Sequence, residues 1–122
     1  MLIRIDADST RPLFEQVASS VRGDILAGRV GPGDRLPTAR DVAEALDINL
    51  HTVLRAYQQL RDEGLVDLRR GRGAVISASA APLAELAGDV ADLVRRAASL
   101  GISSTTLAAL ITEAVVVTEV DS

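Results

Sequence analysis

TARDVAEALDINLHTVLRAYQQLRDEGLVDLRRGRGAVI, residues Thr38 to Ile76, is the stretch whose periodicity decides the fold. Thr38 with Asp41 approximates a capping box, with aspartate in place of the longer glutamate, so a helix is expected to begin here. Val42, Ala43 and Leu46 give that helix one apolar face. Leu46-Asp47-Ile48-Asn49 reads as a tight turn, and Asn49 is a good N-cap for a third helix. That helix is expected to reach about Glu63, with Val53, Ala56, Tyr57 and Leu60 inward and Gly64 as its stop. Two short helices joined by so few residues form a helix-turn-helix. After Gly64 the period shortens. Leu65, Val66 and Leu68, then Arg69-Arg70-Gly71-Arg72-Gly73, then Ala74-Val75-Ile76 read as a hairpin with a basic tip.

Upstream, Leu13, Val17, Val21 and Ile25 recur every fourth residue, and Pro12 suits a first turn, so a helix is expected from about Pro12 to Ala27. Gly31-Pro32-Gly33 is a turn no helix continues through. Downstream, Ser77 to Pro82 is small and uncharged and is read as a linker. Leu83 to Leu100 reads as a helix with Leu86, Val90, Leu93, Val94 and Ala97 on one side. Gly101 ends it, and Ser103 or Ser104 caps a last helix from about Thr105 to Glu119, whose face carries Leu107, Leu110, Ile111, Ala114, Val115 and Thr118. Val115-Val116-Val117 is a poor helix former, and a strand is the alternative there.

Composition limits the chemistry. The 122 residues contain no cysteine and one histidine, His51, which removes disulfides, thiol nucleophiles and multi-histidine metal sites. Phe14 and Tyr57 are the two aromatics, so the core has to be aliphatic. The longest uncharged stretch, Ala97 to Thr112, is too short and too polar to span a bilayer, and the N-terminus lacks the apolar core of a signal peptide. The expectation is a soluble cytoplasmic protein. Carboxylates such as Asp41, Glu44, Asp62 and Glu63 sit on expected helix surfaces without a nucleophile or base beside them, so catalysis, cofactor and metal are not expected.

The net charge of −4 argues at first against nucleic acid. The charge is uneven: residues 1–76 hold 11 arginines and 11 acids, whereas the remainder holds 2 arginines and 6 acids. Local arrangement therefore has to carry the argument. On a helical wheel His51, Arg55, Gln58 and Asp62 fall opposite the buried side of the third helix, flanked by Thr52 and Gln59. Such a face supplies donors and acceptors for base edges, although any solvated helix face is polar. The hairpin tip places three arginines within four residues between glycines, a cationic finger suited to phosphates or a minor groove. Arg35 and Arg40 add cations at the start of the second helix, whose free N–H groups can receive a phosphate. His51 is read as a base or phosphate contact, the alternative being a buried structural histidine.

Residues 10–76 resemble the winged-helix domain of the GntR family of bacterial transcription regulators. The resemblance rests on Pro12-Leu13-Phe14-Glu15-Gln16-Val17, on Pro32-Gly33-Asp34-Arg35-Leu36-Pro37-Thr38, and on Glu63-Gly64-Leu65-Val66 with Arg70-Gly71-Arg72-Gly73. Asn49 to Tyr57 and the short two-helix tail resemble its YtrA-type branch. The resemblance implies a homodimer on a palindromic operator, with the third helix in the major groove and the wing beside it. It also implies repression of a neighbouring transporter operon, and DNA contacts at Arg40, His51, Thr52 and Gly71. Leu50 and Leu54 stand where many relatives outside this branch have arginine, so base reading at those positions is either lost or moved to His51 and Arg55. Asp47 stands where glycine is common.

The expected fold is mostly α with a small β-hairpin wing: a winged helix-turn-helix domain over 1–76, a linker over 77–82 and a helical dimerisation tail over 83–122. The candidate DNA contacts are Arg35, Thr38, Arg40, Asn49, His51, Thr52, Arg55, Gln58, Arg69, Arg70, Gly71 and Arg72. The candidate dimer contacts are Leu86, Val90, Leu93, Val94, Leu107, Leu110 and Ile111. Expected partners are double-stranded DNA and a second copy of the chain. The tail leaves room for a small-molecule effector without naming its chemistry. The rival reading is a winged-helix protein-interaction module that does not touch DNA.

Overall fold

In the computed structural model, which describes residues 1–121, the chain divides into two compact units, Met1–Glu85 and Leu86 onward. The first contains α1 (Leu13–Leu26), α2 (Ala39–Leu46), α3 (Leu50–Asp62), the strands β1 (Val66–Arg69) and β2 (Gly73–Ile76), and a single 3-10 turn at Ala78–Ala80. α4 (Ala81–Ser99) runs from the first unit into the second, which also holds α5 (Ser104–Asp121).

The caps read from the sequence are present. The Thr38 side chain accepts from the Asp41 N–H at 3.1 Å, and the Asn49 side chain accepts from the His51 N–H at 2.7 Å. Between the two helices Asp47 takes a left-handed conformation, φ 54°. Aspartate tolerates that better than most side chains because its short polar group can bond locally.

The core of the first unit lies where α1, α2 and α3 meet the hairpin. Val17, Val21, Val53, Leu60, Val66 and Ile76 are its largest fully enclosed side chains. Each contributes about 1.5–3 kcal/mol through loss of apolar surface to water. Tyr57, 4% exposed, brings a hydroxyl into this core. It donates to the Pro37 carbonyl at 2.6 Å and so ties α3 to the residue before the α2 cap.

The hairpin is antiparallel, with Val66 opposite Ile76 and Arg69 opposite Gly73. Its other edge is occupied as well. The Gly33 N–H donates to Ile76 O at 2.9 Å, the Ile76 N–H to Asp34 O at 2.8 Å and the Leu36 N–H to Ala74 O at 2.9 Å. Residues 33–36 thus follow β2 as a short third strand would, and Arg35 pairs with Val75. The sequence reading placed Arg35 at the start of the second helix; it stands instead on this sheet edge. The N-terminal arm is fastened by Gln16, which is buried and doubly bonded. Gln16 accepts from the Asp6 N–H at 2.7 Å and donates to the Arg11 carbonyl at 2.9 Å.

The stretch read as a linker is structured. Ser77 is buried and donates to the Gly64 carbonyl at 2.5 Å, Ala80 is 2% exposed, and Leu83 packs against the core. Small residues permit this because they fit closely against the C-terminal end of α3. The division between units accordingly falls after Glu85.

In the second unit Gly101, φ 76°, ends α4, and the Ser103 hydroxyl accepts from the Thr106 N–H at 3.2 Å to start α5. Val115-Val116-Val117 is helical. Leu86, Val90, Leu93, Val94, Leu110 and Ile111 are exposed in the single chain, and Leu107 is half-buried. No helix among the described residues is long and apolar enough to cross a membrane.

Candidate nucleic-acid interface

α3 carries the outward face. Val53, Ala56, Tyr57 and Leu60 are buried, while His51, Arg55, Gln58 and Asp62 are exposed and Thr52 is half-buried. His51 is therefore not a structural core residue. Asn49 spends its side-chain oxygen on capping, and Thr38 does the same one helix earlier. Both aim a helix N-terminus as well as bordering the surface. Arg40 is exposed on the first turn of α2, beside a shallow depression formed with Glu44, Asp47 and Leu50.

Arg55 does not hang free. Its guanidinium lies 3.7 Å from the centroid of the Phe14 ring, at the first turn of α1. Nothing in the spacing of the sequence connects these two residues, because the contact depends on how α1 crosses α3.

The wing tip is closed by the Arg72 N–H donating to the Arg69 carbonyl at 3.1 Å. Gly71, third in this turn, has φ +81°, a conformation that strains any residue bearing a Cβ. The turn projects Arg70 and Arg72 into solvent. Arg69 is tempered by Asp67 at 3.4 Å, a pair the sequence reading did not anticipate. Between the wing and α3 lies an open groove of about 520 Å³. Leu54, Tyr57 and Leu68 floor it, and Arg35, Arg69, Arg70 and Arg72 rim it. Leu54 and Leu68 are 38% and 43% exposed, so the floor is apolar and reachable. Arg35 thus joins the wing cations, and Arg40 is apart from them.

Electrostatics sort the cations. Arg22 donates to both carboxylate oxygens of Glu63 at 2.7 and 2.6 Å, and Arg29 pairs with Asp24 at 2.7 Å. Arg61 pairs with Asp62 at 3.4 Å. The Arg22 hydrogen bond holds the Glu63 carboxyl below the usual carboxylate value. Among the described residues, Arg35, Arg40, Arg55, Arg70 and Arg72 have no carboxylate partner. Arg35, Arg70 and Arg72 border the groove and wing tip, and Arg40 and Arg55 lie on the outward side of the helix-turn-helix. Arg4 and Arg11, also without a carboxylate, lie away from this surface, and Arg96, likewise without one, belongs to the second unit. Such a surface can accept phosphates at its rim and base edges on α3.

A helix-turn-helix followed by a cationic antiparallel wing defines the chain as a winged-helix DNA-binding regulator. Residues 13–76 match the family described as bacterial regulatory proteins, gntR family. The chain belongs to the GntR family, whose members are DNA-binding transcription regulators and not enzymes. It is 39% identical over 79 residues to the HTH-type transcriptional repressor YtrA of Bacillus subtilis, a match covering 65% of this chain and 61% of that one. It is 36% identical over 101 residues to the HTH-type transcriptional regulator Rv1152 of Mycobacterium tuberculosis, covering 83% and 84% of the two chains. The solved structure of YtrA from Sulfolobus acidocaldarius, a GntR-family transcription factor, superposes with a TM-score of 0.59 at 30% identity, covering 81% of this chain and 99% of that one. Resemblance to the YtrA-type branch therefore extends from sequence to fold. A module that does not touch DNA is set aside.

Proposed function

We propose that the chain acts as a homodimeric repressor on a palindromic operator. In this reading Met1–Ile76 docks on DNA, α3 enters the major groove, and the wing follows the adjacent backbone or minor groove. The observation that carries it is the gathering of unpaired arginines around one groove of an otherwise acidic protein. Arg35, Arg70 and Arg72 neutralise phosphates, which releases counterions and makes binding fall with salt. His51, Thr52, Arg55 and Gln58 then discriminate sequence. Repression is supported by the repressor named among the relatives, and regulation of a transporter operon follows from the branch resemblance alone.

The tail supports pairing of two copies. α5 exposes aliphatic side chains on more than one side: Leu110 and Ile111 on the expected face with Val117 beside Leu110, and Val116 across the helix from them. So much contiguous aliphatic surface calls for a covering partner, and one chain does not provide it. Leu93→Glu with Ile111→Glu, in the full chain, is expected to yield a monomer by sedimentation with the first unit still folded. A gel-shift salt titration against fragments enriched from a random-sequence pool tests the DNA reading. Arg72→Ala should reduce the slope of log affinity against log salt by about 0.9 on every fragment. No shift of any duplex at low salt, or a dimer that survives both tail substitutions, refutes the corresponding half.

A further inference from the structure

The chain's two aromatic residues are used differently. Tyr57 lies in the core, whereas Phe14 is half-buried at the core's edge with Arg55 stacked on it. Covering that edge needs no ring, since aliphatic side chains such as Ile5, Val30, Leu46, Ile48 and Leu83 cover the rest of it. A ring does one thing an aliphatic side chain cannot, which is to attract a cation to its face through the quadrupole. Stacking engages the flat side of the guanidinium, while the five N–H donors radiate within its plane. None of them is given to another described residue. Arg22 is the contrast: Glu63 takes two of its donors, and an incoming phosphate or guanine would have to displace a carboxylate.

We infer that Phe14 is a positioning residue for DNA readout, holding Arg55 flat on its ring so that the guanidinium edge meets its acceptor already oriented. A free arginine loses side-chain freedom when it binds, whereas a stacked one has lost much of it beforehand. This rests on the reading above that the outward face of α3 enters the major groove. Its consequence falls on a residue outside the helix-turn-helix. Sequence preference at the Arg55 contact depends on the first turn of α1.

The test is a double-mutant cycle on the full chain with Phe14→Leu, Arg55→Ala and both together. The probes are a duplex enriched from a random pool by the wild-type protein and its scrambled counterpart. Phe14→Leu is expected to lower the ratio of the two affinities about threefold to fivefold, with the salt slope on scrambled DNA unchanged. Phe14→Tyr, which keeps the ring, is expected to restore the wild-type ratio. With Arg55 already alanine, Phe14→Leu should change the ratio no further. Thermal melting checks the fold, and Phe14→Met replaces the leucine variant if that one does not fold. An unchanged or increased ratio in Phe14→Leu, or the same loss with and without Arg55, overturns the inference. If the wild-type protein prefers no duplex, the functional reading fails instead, so the two failures are distinct.

Discussion

The alkaline limb of stability should report a single residue. The chain has one tyrosine, no lysine and no cysteine, so between the N-terminal amine and the arginines only Tyr57 titrates. Burial pushes its phenol well above the ordinary value of 10.0. The protonated form is thus the one the folded state keeps. Stability is complete below pH 10 and declines above it, because the unfolded chain releases the proton while the folded chain retains it. The slope should approach about 1.4 kcal/mol per pH unit. Tyr57→Phe removes both that titration and the 2.6 Å bond to Pro37 O. The carbonyl loses its donor in a partly buried position, so the variant should be less stable near neutral pH by about 1–2 kcal/mol. For a domain of this size that lowers the melting temperature by roughly 4–8 °C per kcal/mol. The two curves should then converge roughly one pH unit above the ordinary tyrosine value, where the wild type has lost a similar amount. Urea unfolding of both proteins across this range measures the gap, and the near-ultraviolet phenolate band follows ionisation directly. A gap that stays constant with pH, or a folded protein whose phenolate band rises at the ordinary value, would refute the reasoning.

Glu63 governs the acid limb in the same way with the opposite sign. Its pKa is held below the ordinary 4.5 by Arg22, so the stability it contributes is present above that pH and is lost as pH falls through the folded value. The pair is partly exposed, so Glu63→Gln should cost no more than about 1 kcal/mol at neutral pH and should flatten the acid limb in a denaturant series. At the turn between α2 and α3, Asp47 has φ 54°. Asp47→Val should destabilise by about 1–2 kcal/mol, while Asp47→Gly should be neutral or stabilising, as read from urea midpoints. Leu60→Ala, at a site with no exposure, should cost about 2–5 kcal/mol. A smaller loss would mean that the core collapses around the gap.

The elements legible in the sequence were those whose signals are local. Thr38, Asn49 and Gly64 mark helix ends because a cap acts within a few residues of itself, and the inward set Val53, Ala56, Tyr57 and Leu60 follows from helical period alone. The sheet-edge position of Arg35 and the ring contact of Arg55 were not legible. Arg35 owes its place to the pairing of residues 33–36 with β2, some forty residues on, and Arg55 owes its ring contact to the crossing of α1 with α3. Neither leaves a periodic trace. Ser77 to Pro82 was misleading for a related reason: small uncharged residues suit a loose connector and a tight packing corner equally well. The buried Ser77 hydroxyl, the enclosed Ala80 and the packed Leu83 distinguish them.

The acidity of the whole chain does not exclude a polyanionic partner, because charge acts locally. In the first unit Glu63, Asp24 and Asp62 are each matched to an arginine away from the groove, so their charges largely cancel. Arg35, Arg70 and Arg72, which rim the groove, have no such carboxylate among the described residues. At physiological salt a charge is felt over only about 8 Å, so a docking phosphate responds to the arginines beside it and hardly to the molecular total. Net charge governs long-range approach and solubility, whereas the contact itself is governed by which cations have no carboxylate of their own. By that criterion Arg69, which shares its charge with Asp67, is expected to lose less operator affinity on replacement by alanine in a gel-shift titration than Arg70 or Arg72, although all three lie in one run of sequence.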